Sequence, residues 1–157
     1  MKKSILYLAC LAVPLAYSCT QGNNSEKTAA AKADTTVSSE CYVAIDGLDT
    51  ADLHLKTSEK GKISGHLVIN YKEKGKNDGE IAGKFSGDTL FVDYTFKIGT
   101  ENPTIYKNPL AFLKKDGKLI LGVGQIETSV GRSYFVKGKP ISFDKGRFTF
   151  APVDCKK

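Results

Sequence analysis

The side chains best suited to chemistry in this 157-residue chain are two histidines, four cysteines and a scatter of carboxylates. His54 and His66 flank the loop Glu59-Lys60-Gly61, and a three-residue loop that pairs Ser58 with Lys62 sets His54 directly opposite His66 on one sheet face. Two imidazoles across a strand pair can share a metal or titrate together near neutral pH. Zinc takes at least three protein ligands, and the sequence shows no third beside them. Two solvent-facing histidines on an outer wall are therefore expected, with no metal and no cofactor. Asp49, Asp78, Asp88 and Asp116 stand among turn-forming residues, which accounts for them without an acid–base pair. Asn77, Asp78 and Glu80 offer oxygens to a calcium ion, but Lys72, Lys74 and Lys76 make that loop a poor cation site. The chain contains no Gly-x-Ser-x-Gly elbow, phosphate-binding Gly-x-x-x-x-Gly-Lys loop, His-Glu-x-x-His pair or Gly-x-Gly-x-x-Gly turn. No catalytic residues are assigned, and the expectation is a protein that is not an enzyme.

The cysteines divide by position. Met1-Lys2-Lys3 is a positive n-region, Ile5 to Ala16 a short apolar stretch broken by Pro14, and Ser18 a small residue before Cys19. This is the pattern of an export signal, too short to span a bilayer as a stable helix. Ala16-Tyr17-Ser18-Cys19 resembles a bacterial lipobox, with alanine where leucine is usual. The resemblance implies cleavage after residue 18 and lipidation of Cys19, and two or three acyl chains at roughly 0.8 kcal/mol per buried methylene anchor a protein stably. The apolar stretch ahead of Cys10 is too short for it to compete. After Cys19, Thr20 to Glu40 is mostly Thr, Gln, Asn, Ser, Ala and Lys with Val37 as the one large aliphatic, and residues 19–40 read as a flexible tether with a reach of roughly 25 Å. Thr20 after the cysteine resembles the outer-membrane class of lipoproteins, and the first acid comes only at Glu26, which implies the periplasmic face of the outer membrane. Cys41 and Cys155 then remain, bracketing the folding unit 41–157. In an oxidising compartment they are expected to form a disulfide, which closes a loop long enough to contribute up to about 4–5 kcal/mol by chain entropy.

Those residues need a scaffold, and its composition is ordinary: 41% hydrophobic and 25% charged. One core can be buried, and a multi-domain enzyme is excluded. The chain carries +6, and with Lys2, Lys3, Lys27 and Lys32 set against Glu26, Asp34 and Glu40 the unit 41–157 keeps +5, spread over loops and strands. It reads as solubility charge, with no nucleic-acid partner.

The folding unit reads as short alternating strands and tight turns. Asp52-Leu53-His54-Leu55-Lys56 alternates up to the Gly61 loop, and Ile63, Gly65, Leu67, Ile69 and Tyr71 continue on one face. A Gly87-Asp88 turn of type II′ pairs Phe85 with Leu90, Gly83 with Val92 and Ile81 with Tyr94. The Asp116-Gly117 turn, a type I′ signal, pairs Phe112 with Leu121 and Leu110 with Val123. Tyr42–Ile45, Ser133–Lys137 and Phe148–Ala151 are further strand candidates. Glycines inside strands, Gly65 and Gly83 among them, suit a sheet that must coil sharply. The fold class is all-β, an antiparallel up-and-down barrel of eight or nine strands, with a two-sheet β-sandwich as the alternative.

The segments Gly75-Lys-Asn-Asp-Gly-Glu-Ile-Ala-Gly83, Ser86-Gly-Asp-Thr-Leu90 with Asp93-Tyr-Thr-Phe96, and Ala111-Phe-Leu-Lys-Lys115, with cysteines at Cys41-Tyr42 and Cys155, resemble a family of small Bacteroidota lipoproteins. That resemblance supports the barrel and the envelope address and implies no activity. The architecture also resembles lipocalins, although their tryptophan near the first strand is absent here. Lipocalin likeness implies a small hydrophobic or amphipathic ligand inside the barrel, with Tyr71, Phe85, Tyr94, Phe96 and Phe112 as candidate lining residues. The alternative is a structural or interaction protein with a closed core that contacts another envelope component. The inward hydroxyls of Tyr71 and Tyr94 tilt the reading toward a ligand, since each needs a partner, which water, backbone or a ligand's polar end can supply.

Overall fold

The computed structural model describes residues 34–155. The expected export signal, Cys10, the expected lipidation position Cys19 and the first part of the expected tether lie outside the described residues. Eight strands form a closed antiparallel barrel: β1 (Thr36–Asp46), β2 (Asp49–Ser58), β3 (Lys62–Tyr71), β4 (Gly75–Ser86), β5 (Thr89–Ile98), β6 (Tyr106–Lys115), β7 (Lys118–Leu121) and β10 (Thr149–Val153). The wall runs β1-β10-β7-β6-β5-β4-β3-β2, a meander whose last strand returns to pair with the first. A separate hairpin, β8 (Ile126–Ser129) with β9 (Arg132–Phe135), is inserted between β7 and β10. The barrel is the expected fold.

Turn chemistry sets the register. Gly61 takes a left-handed φ of 71° and its N–H donates to Ser58 O at 2.9 Å, and the ladder that follows places Leu53 opposite Leu67 and His54 opposite His66. Asp116 and Gly117 both have positive φ, as a type I′ turn requires, and Phe112 pairs with Leu121. Phe85 pairs with Leu90, Gly83 with Val92 and Ile81 with Tyr94, as the alternation predicts. At Gly83 a Cβ would fall onto the carbonyl oxygen of Phe91, and at Gly65 onto that of His54. Neighbouring backbones approach there more closely than any side chain permits, which is how a small barrel bends its sheet.

Three expectations need correction. β1 begins at Thr36, inside the segment 19–40 read as tether, because Thr36 and Ser38–Glu40 continue the ladder with β2. All five residues Thr36–Glu40 are exposed, so backbone pairing holds them and no apolar signal marks them. Asp78 lies within β4 and not in a turn, since the β3–β4 connection is Lys72–Lys74. Val123 does not face Leu110: it is 51% exposed and bridges to Ser142. The chain leaves the wall at Gly122, where a Cβ would strike Ile141 and Phe143.

Candidate functional site

Side chains fill the barrel interior. Leu53, Leu67, Leu90, Phe112 and Phe150 are at most 1% exposed, and Ile81, Val92, Tyr94 and Phe96 are buried with them. A void that admitted water would leave its lining accessible, so these side chains pack against one another. Tyr94 stacks on Phe96 with ring centroids 4.5 Å apart, and Phe112 meets Phe150 edge-on at 5.6 Å. The Tyr94 hydroxyl donates to Leu67 O at 3.0 Å, so the backbone supplies its partner, and burial raises its pKa far above the ordinary phenol value.

Of the five proposed lining residues, Tyr94, Phe96 and Phe112 are core. Tyr71 is half-buried at one end, edge-on to Phe148 at 6.5 Å. Phe85 is corrected: it has inward parity but is 37% exposed at the opposite rim, one residue from the end of β4, with Lys114 Nζ 6.0 Å from its ring centroid. Leu90, its cross-strand neighbour, is already fully buried at that end.

The Tyr71 end carries a charged closure. Arg147 Nε donates to Asp46 at 2.5 Å and its Nη2 to Asp49 at 2.7 Å, while its guanidinium lies 5.7 Å from the Phe148 ring centroid. Asp49 also accepts the Lys72 N–H at 2.9 Å. That backbone bond, followed by Arg147, holds the Asp49 carboxyl below its ordinary pKa. A cleft of about 310 Å³ above this cluster is lined by Leu48, Tyr71, Lys72, Lys74 and Arg147 among others. At the other end Tyr42, buried, donates to Glu40 at 2.8 Å, and burial with that carboxylate pushes its phenol up to about 12.

The outer wall holds a row of functional groups. Cys41 is bonded to Cys155, with Cα atoms 5.2 Å apart, which joins β1 to the residue two beyond the end of β10 as expected. The β1–β2 register puts Cys41 opposite His54, and His66 follows on β3. His54 Nε2 lies 2.6 Å from Ser39 Oγ, and His66 Nε2 lies 2.7 Å from Asp78 Oδ1. Asp78 is also paired with Lys76 at 2.5 Å, which together with His66 lowers its pKa. Sequence reasoning placed both histidines outward and missed that the third neighbour of His54 is the disulfide. The signal was present in the two-residue loop Gly47-Leu48: it pairs Asp46 with Asp49 and so fixes Cys41 against His54.

A second surface feature is the β8–β9 hairpin, which lies over the outer face of β6. Ala111 is fully buried although it points away from the barrel core, and a groove of about 550 Å³ runs between Phe91, Ala82 and Pro109 on the wall and Tyr134 and Phe135 on the hairpin. No known protein family, curated protein or solved structure matches the chain.

Proposed function

We propose that this is a lipid-anchored, non-enzymatic protein of the cell envelope, tethered through Cys19 to the outer membrane on its periplasmic side, whose closed barrel presents its outer wall to another envelope component. The observation that carries the reading is the filled interior: fully buried Phe112, Leu67 and Phe150, a Tyr94 hydroxyl bonded to Leu67 O, and a mouth covered by Arg147. A lipocalin-like ligand needs volume that these side chains occupy. The groove at Phe91 and Tyr134, bordered by Lys62, Lys84 and Asp93, supplies apolar contact area with a mixed charged rim and suits a partner that offers an apolar anchor.

One observation favours the ligand-binding reading instead, the 310 Å³ cleft at the Tyr71 end, where a small amphipathic molecule could lay an apolar part on Leu48 and Tyr71 and a charged part on Arg147. Native mass spectrometry of the exported chain after exposure to an envelope lipid extract separates the two. The closed-core reading expects the bare mass. A retained small-molecule adduct that Tyr71→Ala abolishes establishes the ligand reading in its place.

A further inference from the structure

We propose that Cys41, Cys155 and His54 form a zinc site that exists in the dithiol form of the protein and is shut off by the disulfide. The two sulfurs and an imidazole nitrogen of His54 lie within 4.8 Å of one another on the outer wall. A tetrahedral zinc with Zn–S of about 2.3 Å and Zn–N of about 2.0–2.1 Å sets its ligand atoms roughly 3.5–3.8 Å apart. Opening the disulfide therefore asks only for a small separation of the sulfurs, at the side chain of Cys155, which is exposed and lies beyond the end of β10.

The other ligands are held by the wall. Cys41 and His54 are cross-strand partners in the β1–β2 ladder, and Ser39 Oγ lies 2.6 Å from His54 Nε2, so a metal held by the other ring nitrogen, Nδ1, would keep Ser39 as its outer partner. A groove of about 280 Å³ lined by Cys41, His54, His66, Val68, Asp154 and Cys155 leaves the site open to solvent, so water completes the tetrahedron. Two thiolates and one imidazole are soft and borderline donors of the kind zinc prefers over calcium or magnesium.

The chemistry balances with a dithiol reductant. Its thiolate attacks Cys155 Sγ, the Cys41–Cys155 bond breaks, and Cys41 leaves as thiolate. The second reductant thiol then resolves the mixed disulfide, so that the reductant is oxidised to its disulfide and two electrons and two protons pass to the cysteines. Zinc binding to both sulfurs displaces the two thiol protons to solvent. Because the metal binds only the reduced form, zinc at 100-fold over its Kd raises the midpoint potential of the couple by about 60 mV, at 29.6 mV per tenfold.

The test uses the full chain, exported and purified with its disulfide intact or reduced and kept anaerobic, with cobalt(II) as a spectroscopic probe and zinc as competitor. The reduced chain is expected to bind one cobalt with tetrahedral d–d bands and thiolate charge-transfer absorption, displaced by one equivalent of zinc, and the oxidised chain to show neither. His54→Ala is expected to weaken the reduced site at least tenfold while its oxidised form melts with the wild type. If reduction unfolds the chain, zinc must restore the barrel's circular dichroism. A reduced chain with no tetrahedral cobalt spectrum, an affinity unmoved by His54→Ala, or an unfolded chain that zinc does not refold overturns the proposal.

Discussion

Tyr94 shows how a single polar atom decides between two uses of a barrel. Its phenol stands at an inward position where a ligand's polar end could have met it, yet the hydroxyl is spent on Leu67 O. Tyr94→Phe removes a donor whose acceptor is a strand carbonyl, and the expected cost in chemical denaturation is about 1 kcal/mol. Unchanged stability would mean that the bond contributes nothing to the fold. Asp49 gives a second prediction at this scale. Its carboxyl is held below the ordinary value by the Lys72 N–H and Arg147, so the charged form is favoured in the folded state. A depressed folded-state pKa contributes stability that is fully present above the unfolded value of about 3.9 and is lost as pH falls through the lower folded value. Asp49→Asn is expected to flatten the acid limb of the melting-temperature profile below about pH 4 and to lower the melting temperature at pH 7. An acid limb identical to wild type would sink this assignment.

At the scale of elements, the exposed hairpin carries its own inconsistency. Val130 and Gly131 form the β8–β9 turn with φ of 50° and 73°, and Val130 is 99% exposed. A β-branched residue in the left-handed region costs roughly 1–2 kcal/mol, whereas asparagine adopts it readily. Val130→Asn is therefore expected to raise stability by about 1 kcal/mol, measured as a shift in denaturation midpoint without change in slope. That turn also explains why the hairpin was only half legible. Asp116-Gly117 and Gly87-Asp88 announce their turns in residue types that tolerate positive φ, and both registers follow from sequence. Val130-Gly131 does not, so only the second strand of that hairpin was foreseen, through Ser133–Lys137. Thr36–Glu40 was missed for the complementary reason: backbone pairing with β2 carries it and all five residues are exposed, so no buried apolar alternation marks it. The zinc-site residues were each visible, but their convergence depended on combining two hairpin registers with the disulfide.

For the whole molecule the weak point of closure is where the meander returns to its start. β7 and β10 pair through Thr149 with Ile120 and Phe150 with Leu119, extended by one bond from the Leu121 N–H to Phe148 O, and β1 and β10 through Cys41–Val43 against Ala151–Val153, whereas β1 and β2 run together from Thr36 to the Asp46–Asp49 turn. The Cys41–Cys155 bond ties that seam across a sequence separation of 114. Strands that share few ladder bonds open first, and a crosslink between the first and last strands acts on the unfolded chain and on that opening together. The double variant Cys41→Ser, Cys155→Ser is expected to lose about 2–4 kcal/mol and to show faster amide exchange in β10 and the Cys41–Val43 part of β1 before any change in β3, β4 and β5. Phe148 and Phe150 anchor β10 in the core. The barrel should therefore remain assembled without the bond, its seam opening locally while the rest stays closed. Exchange that accelerates equally in every strand would show instead that the barrel opens only as one unit, with the seam no weaker than the ladders beside it.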